Sequence, residues 1–310
     1  MIDEIVVERA DPLRDALTEL ALRFRVESHL FHSIGDPNPQ SPFAEANEIF
    51  HWEKASDWCG EYLSAALQSA SMWADFHAPL SFDPQARVLI RPRPLQGLAR
   101  SVLEAASQAV WVMTAESGSD LAQRHLRLMH SDFLEQRKAY RLQGERIDAA
   151  QRQLDTFKER LGRSAVDTAE VLKDINYLTM IRAAADALNA LGKHVDADEA
   201  EYVWRLASGS THGKRWATFE LNDIQNLEEY EPGQLRVART TRLDVAYRAL
   251  AVAYEIAHFG VAVYGARSGL DYLKHNGKPS LRWLKRSRWI PSARWSAKRW
   301  WRACRGRQST

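Results

Sequence analysis

Between Pro94 and Pro232 the chain runs for 137 residues without a proline, and all eleven of its prolines lie at or outside those two positions. A proline inside a helix removes a backbone donor, clashes with the preceding turn and costs about 3 kcal/mol. The gap is therefore where long helices can run, and local signals place them. Asp11 and Pro12 give a cap and a first-turn proline, after which Leu13, Leu17, Leu20 and Phe24 recur at helical spacing. Ser41 and Pro42 repeat the signal ahead of a helical region reaching about residue 77, interrupted near Ser56. The proline-rich stretch 81–94 reads as a connecting loop, and a strongly apolar helix follows over 95–114. Further helices are predicted at about 165–174, 176–191 and 197–207, with Gly192 as a stop and Asp196 with Glu199 as a capping box. Residues 228–234 read as a polar loop, and Thr241 with Asp244 opens a last helix to about residue 267. No segment combines strand alternation with hairpin turns, so the predicted fold is all-α.

The clearest repeat lies inside the proline gap. With Leu126 at heptad position a, the same position holds Phe133, Tyr140, Ile147, Leu154 and Leu161, while d holds Met129, Gln136, Gln143, Ala150 and Phe157. Gly144 is placed to break this run into a helical hairpin, and glutamines weaken the d seam. Such a seam serves as two core helices of a bundle or, if it projects, as a dimerisation surface; a homodimer is the expected assembly. The architecture predicted is a helical bundle over residues 1–267 with a long helical hairpin, followed by a basic tryptophan-rich extension over 268–310.

Charge divides the chain at the same place. Of 42 Lys and Arg against 40 Asp and Glu, twelve basic residues lie between Lys274 and Arg307, and no acid follows Asp271. The rest carries 30 basic and 40 acidic side chains, an acidic body joined to a like-charge tail of the kind that binds partners. The two cysteines, Cys59 and Cys304, exclude a disulfide scaffold or a cysteine-based zinc site. The opening Met-Ile-Asp-Glu carries acids where a secretory signal carries positive charge, so the expected location is cytoplasmic, peripheral to a membrane if the tail binds lipid. Residues 249–266 are apolar except for Glu255 and His258, which reads as a buried core helix rather than a membrane span.

Three groups of residues could carry chemistry. Arg100 and Glu104 are four apart on the apolar 95–114 helix, with Gln108 and Trp111 continuing the face, which places a polar crevice there. Two Glu-x-x-His pairs, Glu48 with His51 and Glu255 with His258, have the spacing of di-iron bundle ligands, but no second extra carboxylate accompanies Glu104 and no metal or other cofactor is expected. Arg205 and His212 stand seven apart in Tyr202-Val-Trp-Arg-Leu-Ala-Ser-Gly-Ser-Thr-His-Gly213, two turns and one face of a continuous helix. A cation beside an imidazole meets the needs of metal-independent RNA cleavage: a base for the 2′-hydroxyl and a positive partner for the phosphorane. The bland alternative has His212 capping a helix end through its ring nitrogens.

The phrases Leu98-Ala-Arg-Ser-Val-Leu-Glu-Ala-Ala106 and Tyr202 to Gly213, followed by Trp216-Ala, resemble a family of uncharacterised bacterial all-helical proteins, over about residues 88–265. The Arg-x6-His spacing is similar to the Arg-x4-6-His motif of HEPN-type helical ribonucleases and toxins. That resemblance implies a nucleic-acid-binding protein, a metal-independent endoribonuclease of toxin or defence type, with catalytic Arg205 and His212 and a composite site where two protomers meet. Leu206 stands where HEPN enzymes usually carry a polar residue. A rival match begins at Arg124, where His125 follows and His130 completes Arg-x5-His.

In the tail, Arg-Trp pairs fall at Arg282-Trp283, Arg288-Trp289 and Arg294-Trp295, a repeat of six, and Trp300-Trp301 follows. An extended chain keeps a six-residue period on one face, whereas an α-helix spreads it around the cylinder. Such a segment suits RNA, an anionic membrane surface or the protein's own acidic body. The alternative to a nuclease is therefore a non-enzymatic helical interaction protein, docked to a membrane or an acidic partner by its tail.

Overall fold

The structure is a computed structural model that describes residues 5–6, 12–79, 89–192 and 195–270. The tail candidates Arg282, Trp283, Arg288, Trp289, Arg294, Trp295, Trp300 and Trp301 lie outside the described residues. The helices run in the order α1 (Pro12–His32), α2 (Pro42–Ile49), α3 (Ala55–His77), α4 (Pro92–Met113), α5 (Gly118–Tyr140), α6 (Glu145–Leu161), α7 (Thr168–Val171), α8 (Tyr177–Ala190), α9 (Ala197–Thr211), α10 (Arg215–Glu220) and α11 (Leu243–Arg267). Two antiparallel strand pairs accompany them: β1 (Ile5–Val6) with β2 (Leu89–Ile90), and β3 (Asn222–Glu231) with β4 (Gln234–Thr241). The fold is mostly helical, as its periodicity predicts.

The second strand pair corrects the all-α reading. Residues 228–234, read as a loop, belong to a β-hairpin that turns at Gly233, whose φ of +76° suits a residue without a Cβ. Its sequence hides it for a physical reason. Register shifts between Asn226 and Glu228 and between Glu229 and Glu231 break the two-residue period, and most of the described side chains of both strands are solvated. The base is tied down instead: Thr241 donates to the Asn222 side chain at 3.2 Å, and both residues are buried. Two smaller corrections concern helix starts. Pro92 and Pro94, assigned to a loop, sit in the first turn of α4, where the missing N–H has no intrahelical acceptor to lose. Asp196 caps α9 through Asp198 N–H at 3.0 Å, but Glu199 accepts from Arg248 of α11 rather than reaching back to close a capping box. The region 165–174 holds only the short α7.

The heptad run folds back on itself. Gly144, at φ +40°, separates α5 from α6, and the seam residues Leu126, Met129, Phe133, Ala150, Leu154, Phe157 and Leu161 are all buried. Phe133 and Phe157 meet edge to face at 5.4 Å, so the partner that the seam calls for comes from the same chain. These two helices cover one core with α2, α3 and the C-terminal end of α4. A second core joins α1, α3, α4, α8, α9 and α11. α4 belongs to both cores and packs against α3, α5, α8, α9 and α11. α11 is long and apolar enough to cross a membrane by length and composition, yet it lies in the second core against α4 and α1.

That close packing depends on small residues. A Cβ built on Gly260 of α11 would lie 2.8 Å from Leu63 Cδ2 and 3.3 Å from Val110 Cγ2, in a site where both neighbours are fully buried. Gly260→Val is therefore expected to lower the unfolding free energy by about 1–3 kcal/mol, since an overpacked core has to strain or shift. Urea unfolding with an unchanged denaturant slope would show it; a variant as stable as wild type would mean that α11 slides freely over α3 and α4.

Candidate functional site

α9 continues through Ser208-Gly209-Ser210, so Arg205 and His212 do fall on one face two turns apart. Gly209 is needed there because a Cβ would sit 2.6 Å from Cζ2 of Trp216, whose indole edge lies against the helix. The helix then stops in a Schellman-type turn. Lys214 N–H donates to Gly209 carbonyl at 2.8 Å, Gly213 takes φ +68°, and the chain turns into α10. His212 does cap α9, but with its main-chain N–H, which donates to Ser208 carbonyl at 3.0 Å. Its exposed ring points elsewhere.

The ring meets the Arg100–Glu104 pair of α4. Arg100 Nη1 lies 3.4 Å from His212 Nε2, while its Nε donates to Glu104 Oε1 at 2.7 Å. The same carboxylate oxygen accepts from Trp204 Nε1 at 2.7 Å, which ties α9 to α4. The Arg100 and Glu104 side chains are 23% and 17% exposed, so this pair is half-buried. A guanidinium has only donors, so Nε2 of His212 is the accepting atom in this contact. Nearby, the Tyr177 hydroxyl is pushed up from its ordinary pKa, first by burial and then by the negative charge of Glu104, with Arg100 opposing.

Arg205 is engaged differently. Its Nε donates to Glu201 Oε1 at 2.7 Å, and its guanidinium lies 5.9 Å from the Trp204 ring centroid. Arg182 donates to the other Glu201 oxygen at 2.6 Å and to Asp198 at 2.8 Å, and the hydrogen bonds from Arg205 and Arg182 hold the Glu201 carboxyl below its usual range. The arginine in contact with the His212 ring is thus Arg100. The spacing of residues 205 and 212 cannot reveal a neighbour 112 positions away, although the Arg100–Glu104 pair marks the right face of α4.

The rival motif is divided between two packing roles. Arg124 lies over Trp111 at 5.4 Å and donates to the Trp111 carbonyl at 2.6 Å, whereas His130 stacks on Phe157 with the rings 18° from parallel. Six residues advance a helix by 240° net, which puts the two on different faces of α5. His125 is buried, its Nε2–H donating to Glu53 carbonyl at 3.2 Å, and burial pushes its pKa down to about 4. The Glu-x-x-His pairs are dispersed too. His51 follows the end of α2 and lies on Trp52, and His258 bonds through Nδ1 to the buried Glu27 of α1 at 2.7 Å. Among the described residues no three His, Cys, Asp or Glu come together as a metal site. Cys59 is buried, which raises its thiol pKa and leaves it inert.

With this geometry in hand, comparison with known protein families, curated proteins and solved structures returns no match to the chain. What the fold defines is a class: a helical bundle with two cores, a β-hairpin before its last helix, and an arginine–histidine contact where α4 meets α9.

Burial of His125 as a neutral ring has a consequence for stability. The unfolded chain takes up a proton near pH 6.5 and the folded chain only near pH 4, so this contribution is complete above pH 6.5 and is lost as pH falls through that window. The loss amounts to at most about 3 kcal/mol. Urea unfolding at neutral pH and at the acid end of the window is expected to show a slope that flattens in His125→Gln; an equal slope in both proteins would assign acid sensitivity to other groups.

Proposed function

We propose that this chain is a HEPN-like nucleic-acid-binding protein that cleaves RNA without a metal ion, with His212 as the base. The observation that carries the reading is the 3.4 Å approach of Arg100 Nη1 to His212 Nε2 at an exposed helix end. An imidazole that accepts at Nε2 is in the form a general base needs, and its neighbour is a permanent cation. When a phosphate draws Arg100 away, the freed Nε2 lone pair takes the proton of the 2′-hydroxyl. The 2′-oxygen forms its bond to phosphorus, the bond to the 5′-oxygen breaks, and Arg100 faces the charge that builds on the phosphorane oxygens. The leaving oxygen takes its proton from water, which leaves a 2′,3′-cyclic phosphate and a 5′-hydroxyl.

In this reading Glu104 and Trp204 are positioning residues: the carboxylate aims Arg100, and the indole N–H holds the carboxylate. Arg205, 55% exposed, adds charge at the rim. The HEPN resemblance implies a composite site in a homodimer. Arg100 supports a simpler arrangement, because base and cation come from one protomer. The alternative, a non-enzymatic interaction protein docked to a membrane surface or acidic partner by its tail, draws on the twelve cations after Asp271 and the Arg-Trp repeat.

The test is cleavage of end-labelled structured RNA in EDTA. Wild type is expected to produce cyclic-phosphate ends; His212→Ala should be slower by about 10²-fold or more, the usual worth of a general base. Arg100→Lys should keep more activity than Arg100→Ala. Equal traces for wild type and His212→Ala would end the nuclease reading in favour of the alternative.

A further inference from the structure

α10 is only six residues long, yet it leaves two large aromatic side chains in solvent, Trp216 at 47% and Phe219 at 46% exposure. They are three residues apart and therefore neighbours on the helix surface. Neither is loose. Trp216 has one edge against Gly209, and Phe219 carries the Arg215 guanidinium 5.5 Å from its ring centroid. α10 is fixed in turn from two sides: Ala217 and Leu221 are buried with Leu206 and Val245, and Arg93 of α4 donates to Thr218 Oγ1 at 2.9 Å. The outcome is a pair of held aromatic rings facing water.

Their surroundings are cationic. The segment 211–219 contains His212, Lys214 and Arg215 and no acid, and the exposed Arg93 adds a third positive side chain beside Gly213. Glu220 is the nearest acid in sequence, and its carboxylate already accepts from the Tyr202 hydroxyl at 3.0 Å. Held aromatic faces beside the exposed cations Arg93, Lys214 and Arg215 match a polyanion that carries flat rings. Single-stranded nucleic acid is that ligand, since its unpaired bases offer faces to stack and its phosphates pair with Lys and Arg. A duplex hides its base faces, and a lipid headgroup presents charge without a ring.

We propose that α10 is a stacking platform for single-stranded nucleic acid, on which unpaired bases lie against Trp216 and Phe219 while Arg93, Lys214 and Arg215 hold the backbone and lead it towards His212. The platform deepens the nuclease reading and rests on it for its purpose, but its binding can be measured apart from cleavage. A single-stranded oligonucleotide with 2′-O-methyl sugars lacks the attacking hydroxyl, so it is bound and not cut.

The experiment is fluorescence anisotropy of that labelled strand with the full chain, beside an abasic strand of equal length and a duplex. The double variant Trp216→Ala with Phe219→Ala should bind the single strand at least tenfold more weakly, given the usual worth of a stacked base. It should bind the abasic strand and the duplex as wild type does, which removes the tail's general charge from the comparison. Trp216→Phe with native Phe219 should restore most of the loss, and an unchanged melting temperature of the double variant would exclude unfolding as its cause. Single-strand affinity within twofold of wild type would overturn the platform. So would a variant that loses anionic-vesicle binding while keeping the oligonucleotide, or one that turns a dimer into a monomer, because the pair would then be a lipid or subunit contact. If wild type binds through this pair and cuts no RNA, the cleavage reading fails and the platform stands; if it cuts RNA and binding ignores the pair, the reverse holds.

Discussion

α4 has to be buried against five other helices, and the rest of the structure follows from how it meets that constraint. A helix so enclosed cannot carry charge on its packed faces, and its buried positions are accordingly Leu, Val, Ala, Met and Trp, with Gln96 and Ser107 the polar exceptions. Charge is confined to one stripe, where Arg100 and Glu104 neutralise each other. Half-buried carboxylate oxygens still need donors, and the Trp204 indole supplies one from α9. That bond, with Thr211 close enough to Gly97 to leave a Cβ only 3.6 Å from its hydroxyl, fixes α9 along α4. His212 then arrives at Arg100 because it is the residue at which α9 ends.

The same economy operates on the other side of the bundle. Glu27 of α1, 3% exposed, accepts from Tyr254 and His258 of α11, and those two rings stack 9° from parallel. A buried acid is costly unless it is hydrogen-bonded, and here residues on the facing helix hold Oε1 while Oε2 has no hydrogen-bond partner. The histidine of a Glu-x-x-His pair thus bonds to a glutamate 231 positions away. Both ties use a carboxylate to join helices distant in sequence. The α4–α9 tie ends on the exposed imidazole of His212, whereas the His258 ring of the other tie is about a third exposed.

How much of this was legible varies with the range of the interaction. The cap at Ser41, the stop at Gly192 and the break at Gly144 are local, and the structure has them where the residues imply. The heptad run was legible as a hairpin because its a and d residues need only each other. The β3–β4 hairpin was not, since its register shifts erase the alternation by which a strand is read and its solvated faces leave no apolar pattern. The polar face of α4 and the Arg205–His212 face of α9 were each visible as one-helix patterns. Their meeting was not, nor was the pairing of Arg205 with Glu201, because a periodicity says which side chains share a face and nothing about what that face meets.

By itself, then, the amino-acid sequence determined a long proline-free, mostly helical stretch, several of its helix starts and stops, and a basic tryptophan-bearing segment after Asp271. These depend on backbone chemistry and on neighbours within a turn or two, where spacing is geometry. The tertiary structure alone decided that α4 is shared by two cores, that the heptad seam closes within the chain, and that Arg100 is the cation beside His212. Those outcomes depend on which apolar faces bury one another, and only the packed chain brings residues a hundred positions apart within the reach of a hydrogen bond.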